Sequence, residues 1–164
     1  MIFITMIKKY RQFYEAYKNK LFRYLMFRCA DYEVSRDIMQ ESFTRHYQYS
    51  KNSPDFSPAF LFRIARNALT DYQRHKNNYS LIQNYTPQPS REPESDFIVR
   101  EECEIVAAGF KKLLRSDQEI LGLVVSGLPY KQIGEILGLS ESNIKVRVHR
   151  ARVRLRDIIK NGEN

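Results

Sequence analysis

Tryptophan is absent from the chain, cysteine occurs twice and histidine three times. Cys29 and Cys103 stand far apart, in no C-x-x-C pair and with no histidine cluster beside either. That spacing argues against a disulfide framework or a thiolate metal site, and it fits two reduced thiols in a reducing compartment. His46, His75 and His149 are scattered, and no P-loop, metal-ligand set or nucleophile–base constellation is present. Lone histidines are more often structural or solvent-facing than catalytic. We therefore expect no enzyme: no catalytic residue, no metal, no cofactor and no small-molecule substrate. Long apolar runs are missing too, so membrane insertion is not expected. The opening "MIFITMI" is apolar but too short for a secretory core, and no small-residue cleavage site follows it. The expectation is a cytoplasmic protein.

What is abundant is positive charge. The 164 residues carry 27 Lys and Arg against 19 Asp and Glu, a net charge of +8. Such a balance biases towards polyanionic partners. Strand-like alternation is rare, and both halves of the chain show helical periodicity. Between them Pro87, Pro89 and Pro93 fall within seven residues, among Asn, Ser and Gln. Prolines at that density exclude a helix and favour an extended tether. The reading is all-α: two small helical domains joined by a flexible Pro-rich linker, with boundaries at 1–76, 77–97 and 98–164.

In the first half, Tyr10, Phe13, Tyr14, Tyr17, Leu21, Tyr24 and Leu25 recur at steps of three and four, an apolar helical stripe. Val34, Ile38, Met39, Phe43 and Tyr47 form a second stripe, leaving Asp37, Gln40, Glu41 and Thr44 on the other side. Ser57 before Pro58 reads as an N-cap with proline in the first helical position. The helix that follows turns Leu61, Ile64, Ala65, Ala68 and Tyr72 inward. Arg63, Arg66, Asn67, Thr70 and Arg74 fall together on its opposite face.

In the second half two helices part near Ser116, which is placed to cap the second of them. A short helix starts at Pro129 and stops at Gly138, because glycine enters the left-handed conformation without steric cost. Leu139 plugs the turn and Ser140 caps a longer helix, giving a helix-turn-helix with the basic member second. From Lys145 to Arg156 six of twelve residues are Lys or Arg and none is acidic. Ile144, Val148, Ala151, Leu155 and Ile158 make the buried stripe. A solvated surface helix usually mixes signs, because like charges at i, i+4 repel. A membrane-surface helix needs bulkier apolar residues. A helix of this kind fits the major groove, N-terminal end first. Glu141, Ser142, Asn143, Lys145 and Val146 then lie near base edges, and Arg147 and Arg150 reach bases or phosphates. Arg152, Arg154 and Arg156 suit phosphates.

Three segments together carry a family resemblance: "DIMQESFTRHY", "FLFRIARNALTDYQR" and "GLPYKQIGEILGLSESNIKVRVHRARVRLR". In this order around a Pro-rich stretch they resemble the extracytoplasmic-function type of bacterial RNA polymerase sigma factor, over about Phe13 to Ile159. The resemblance implies a promoter-specificity subunit that binds core RNA polymerase and promoter DNA, with an anti-sigma factor as a further partner. It implies that Asp37, Gln40 and Glu41 dock on the polymerase clamp helices. Arg63, Arg66, Asn67, Thr70 and Arg74 would read and open the −10 element. Ser142, Asn143, Lys145, Arg147, Arg150 and Arg154 would contact the −35 element. Phe56 is a candidate flat surface beside Asn67, although an anchoring role in the loop is the stronger expectation. The chain departs from the family at Phe60 and Leu61, where tryptophan is common, and at Gly134, where alanine is usual. The glycine costs about 1 kcal/mol in helix propensity and is expected to pack as closely. The alternative reading, a helix-turn-helix regulator that is not a sigma subunit, accounts for the second half only.

Overall fold

Helix α1, Ile2–Cys29, carries the predicted aromatic stripe and begins well before it, in the apolar start of the chain, where Ile4 and Ile7 are exposed. The computed structural model describes residues 2–51, 56–82 and 108–162, and all regular structure among them is helical. Phe13, Leu21, Tyr24 and Leu25 are buried as the spacing required. The chain reverses at Ala30, which takes a left-handed φ of 53°. Asp31 then caps α2, Tyr32–Ser50, its carboxylate accepting from the Val34 N–H at 3.1 Å.

The inner face of α2 is more polar than its stripe suggested: Ser35, Ser42, His46 and Ser50 are buried beside Ile38 and Phe43. Each polar atom needs a partner to be tolerated there. Ser42 Oγ donates to the Ile38 carbonyl at 2.6 Å, within its own helix. His46 stacks on Phe13 with ring centroids 4.9 Å apart. Its Nε2 lies 3.1 Å from the Ser57 carbonyl, which can only accept, so that nitrogen holds the proton in this contact. Burial holds the His46 pKa below its ordinary value, against the opposing effect of that carbonyl.

Helix α3, Pro58–Ile82, starts as predicted: Ser57 Oγ accepts from the Phe60 N–H at 3.3 Å. Its buried stripe is rotated from the expected one. Leu61, Phe62, Ala65 and Leu69 are the buried members, while Ile64 and Ala68 sit at its edge. The helix runs on through Ile82. The three prolines of the proposed linker and Cys103 lie outside the described residues.

Residues 108–111 are helical, and α4, α5 and α6 follow as Arg115–Val125, Tyr130–Leu137 and Glu141–Gly162. The expected cap at Ser116 is not the cap: Leu114 holds that position without a side-chain hydrogen bond, and Ser116 lies in the first turn. Gln118 reaches back across the turn, its amide donating to the carbonyls of Phe110, Lys111 and Leu113, so it caps the end of the preceding helical segment and leaves the first N–H groups of α4 without a side-chain cap. Pro129, the predicted start, stands one place before the observed one, as the extended N-cap of α5.

The helix-turn-helix is formed by α5 and α6. Gly138 takes φ 69° at the end of α5, and Ser140 Oγ accepts from the Asn143 N–H at 3.2 Å. Ile144, Val148 and Ala151 are buried, with Leu155 and Ile158 packed at the edge. Gly134 corrects the expectation of ordinary close packing. A Cβ there would stand 2.5 Å from the Leu139 carbonyl oxygen. That is backbone rather than a flexible side chain, so alanine does not fit this turn. Absence of the Cβ lets the Leu139 N–H bond the Gly134 carbonyl at 2.9 Å.

The two helical groups close on one another, α1 packing on α4 and α3 on α5. Phe27 and Phe110 meet across the junction with ring centroids 4.2 Å apart.

Candidate nucleic-acid interface

Helix α2 presents Asp37, Gln40 and Glu41 to solvent, one turn apart on one face. The buried stripe of Ile38 and Phe43 fixes this orientation. Glu41 is paired with Arg45 at 2.5 Å, an exposed i, i+4 contact that a stronger partner can displace.

Where α2 meets the start of α3, an open cavity of 690 Å³ is lined by Arg45, Gln48, Tyr49, Phe60, Ile64 and Asn67. Asn67 brings both a donor and an acceptor to its rim. Tyr49 and Phe60 supply flat apolar surface, their rings 5.7 Å apart at 82°. The cavity therefore combines stacking surface, an amide and a guanidinium, the elements that hold an unstacked base. Phe56 does not line it. That ring sits in an aromatic cluster with Tyr10 at 5.1 Å and Phe13 at 5.8 Å, so it anchors the loop before α3. Sequence reading missed Arg45, Gln48 and Tyr49, although their spacing of three and four on α2 marks one shared face.

The remaining predicted residues of α3 divide. Thr70 donates to the Arg66 carbonyl at 2.9 Å, which leaves its lone pairs for a ligand. Among the described residues Arg74 makes only a long, exposed contact to Asp71, at 3.9 Å. Arg63 and Arg66 turn instead to the second helical group. Arg63 donates to the Glu135 and Ile136 carbonyls at the end of α5. Arg66 lies 3.4 Å from Glu119 of α4. Glu119 also accepts from Tyr24 at 2.6 Å and lies 3.4 Å from Arg28. Burial, and after it the Glu119 charge, raises the Tyr24 pKa well above the ordinary tyrosine value.

On α6, Ser142, Asn143, Lys145, Arg147 and Arg150 are all exposed. Asn143 Oδ1 accepts from Arg147 Nε at 2.9 Å, which sets the direction of that guanidinium. Arg150, Arg152 and Arg156 have no hydrogen bond or ion pair among the described residues. Arg154 differs from them: it donates to the buried carboxylate of Asp117 at 2.7 Å while half of its side chain stays exposed. Arg147, Arg150 and Arg154 surround a cleft of 210 Å³ closed by Ser116, Asp117, Ile120 and Leu137. Three guanidinium groups against one carboxylate leave it cationic, a fit for a phosphate rather than a base. The role of Asp117 was not read from the sequence, because its partner lies 37 positions away.

Residues 13–79 match the family described as Sigma-70 region 2, and residues 107–155 match Sigma-70, region 4. The ECF RNA polymerase sigma factor SigM of Bacillus subtilis is 31% identical over 93% of this chain and 96% of its own length. Among solved structures, CnrH in complex with the cytosolic domain of CnrY superposes with a TM-score of 0.67 at 22% identity, covering 93% of this chain and 88% of that one. RpoE in complex with the anti-sigma factor NepR from Bartonella quintana gives 0.65 at 21% identity, covering 93% and 98%. These two likenesses concern the fold.

Proposed function

The chain belongs to the ECF RNA polymerase sigma factors, and on that footing we propose how its residues divide the work of a promoter-specificity subunit. The family binds core RNA polymerase and recognises promoters, and it is non-enzymatic. In this chain residues 1–76 form the domain that docks on core polymerase through Asp37, Gln40 and Glu41. The same domain reads the −10 element through the α2–α3 cavity: Asn67 faces the base, and Arg63, Arg66, Thr70 and Arg74 follow the strand. Residues 98–164 contact the −35 element, and 77–97 join the two. Ser142, Asn143, Lys145, Arg147 and Arg150 face the major groove, while Arg154 holds a phosphate at the edge of the cationic cleft. Both solved neighbours are complexes, CnrH with the cytosolic domain of CnrY and the sigma factor RpoE with the anti-sigma factor NepR. An anti-sigma partner for this chain, acting in the cytoplasm, is part of the proposal. No described helix is long and apolar enough to cross a membrane.

The observation that carries the assignment is the exposed run of α6 from Lys145 to Arg156, which contains no acid, seated on a buried Ile144–Val148–Ala151 stripe and capped by Ser140. The test is run-off transcription with core polymerase and a pool of genomic fragments. New start sites sharing −35 and −10 motifs are expected only when the protein is added. Salt-sensitive duplex binding without new starts would overturn the sigma assignment. Charge reversal of Asp37 and Glu41 together should abolish co-purification with core polymerase and leave duplex binding by α6 intact.

A further inference from the structure

The strongest unassigned feature is the junction between the two helical groups. Its centre is Glu119, whose side chain is 12% exposed. One carboxylate meets Tyr24, Arg28 and Arg66, and the Arg28 side chain is only 3% exposed. Gly122, one turn along α4, allows the approach. A Cβ there would meet Arg28 Cδ at 3.1 Å and Tyr24 Cδ2 at 3.3 Å. Around this centre Gln132 donates to Tyr17 at 3.3 Å, Arg115 donates to Gln73 at 2.8 Å, and Arg63 caps the carbonyls that end α5.

The junction is held, but incompletely. Among the described residues, the buried side-chain nitrogens and oxygens left without a partner are Arg28 Nε, Arg28 Nη1 and Gln132 Oε1. All three belong to this junction, and none to the interior of either helical group. A buried donor without a partner forfeits the hydration it would regain on exposure. The closed arrangement therefore opposes a strong charge contact with a standing desolvation penalty, as a contact made to open would.

We infer that the second domain closes over the promoter-facing side of α3 in the free protein, with Glu119 as the clasp, so that Arg63 and Arg66 are withheld from DNA while Asp37, Gln40 and Glu41 stay exposed. The occupant of this surface of α3 is the chain's own second domain. The closed protein can thus meet polymerase through α2, but it must open before α3 reads a promoter. This rests on the assignment of α3 to the −10 element.

Two full-length variants test it, Glu119→Gln and Gly122→Gln. The first removes the charge and keeps the shape. The second keeps the charge and wedges the helices apart, at a position where losing glycine favours the helix itself. Small-angle scattering reports opening. Fluorescence anisotropy reports binding of a single strand carrying the non-template −10 sequence of a promoter found by run-off transcription, with Arg66→Ala as control. Breaking a buried ion pair should shift the closed-to-open ratio by roughly a hundredfold or more. We expect both variants to show a larger radius of gyration than the parent and to bind the strand at least about fivefold more tightly, by that same shift. Core polymerase binding should not change. Variants no more extended than the parent, or a parent already as extended as they are, would overturn the closure. Opened variants that bind the strand no better, while Arg66→Ala still weakens it, would overturn the masking. Opened variants whose weak strand binding is indifferent to Arg66→Ala would support the closure and instead overturn the −10 assignment of α3.

Discussion

Helices α3 and α6 each carry a row of arginines over a buried apolar stripe, yet they use them differently. On α3, Arg63 and Arg66 are bound to groups of the other helical domain, a carbonyl pair and the Glu119 carboxylate. On α6, Arg150, Arg152 and Arg156 make no hydrogen bond or ion pair among the described residues, and Arg147 is merely aimed by Asn143. The difference follows from what lies opposite. The α6 face looks outward from a helix-turn-helix whose core is complete without it. The α3 face looks onto α4 and α5, which bring an acid and free carbonyls. A row of cations therefore marks a surface with an anionic partner, but only the fold tells whether that partner is held in the chain or comes from outside.

The largest effect that separates the two helices should come from the core. Phe62 is fully buried under α3, against Tyr24. Phe62→Ala should cost about 3–5 kcal/mol, read as loss of the first domain's thermal transition while −35 duplex binding through α6 persists. A single melting step that also removes duplex binding would show that the two helices share one cooperative unit. Next is Gly134→Ala. Propensity alone predicts a gain of about 1 kcal/mol, but the Leu139 carbonyl stands where the Cβ would go. A net loss of about 1–3 kcal/mol in denaturant unfolding is expected, with weaker duplex binding as the first turn of α6 shifts.

A finer comparison lies within α6. Arg150→Ala should leave stability unchanged and lower −35 affinity, reducing the salt slope by about one if the contact is to phosphate. Arg154→Ala should do the same and also destabilise by about 1 kcal/mol, since it strands Asp117; the partial exposure of Arg154 keeps that figure small. Equal stability of the two variants would mean that the Asp117 contact contributes nothing. The smallest effect comes from α2, at His46, whose Nε2 meets the Ser57 carbonyl just before α3. The His46 pKa is held below 6.5 by burial, so the unfolded chain takes up the proton first as pH falls. Stability is full above pH 6.5 and declines below it. His46→Gln should flatten that limb in a pH series of thermal melts.

Much of this contrast was readable before any coordinates, because it is local. The stripe of α6, the left-handed Gly138 and the caps at Ser57 and Ser140 each depend on residues within a turn or two. So did the polar faces of α2 and α3, although the true stripe of α3 is rotated towards Phe62 and Leu69. What escaped was non-local or disguised. Glu119 and Tyr24 are separated by 95 positions, and no periodicity links them. Ser42 reads as a polar surface residue, yet it hides its hydroxyl on its own helix. Ser116 looked like a cap because its residue type is common there, yet it lies in the first turn, and Leu114 takes the cap position with no side-chain hydrogen bond. Tyr49 and Gln48 were within reach of sequence reasoning, since they share a face with Arg45.

The contact between Arg66 and Glu119 has a bearing on choice among promoters. A ligand that needs α3 exposed binds only the open fraction of molecules, so its apparent affinity is its intrinsic affinity scaled by that fraction. The fraction is a property of the protein alone and is the same for every −10 sequence. Closure therefore lowers the occupancy of all promoters together and leaves their ranking untouched: the clasp sets how much is transcribed, and the cavity beside Asn67 sets what.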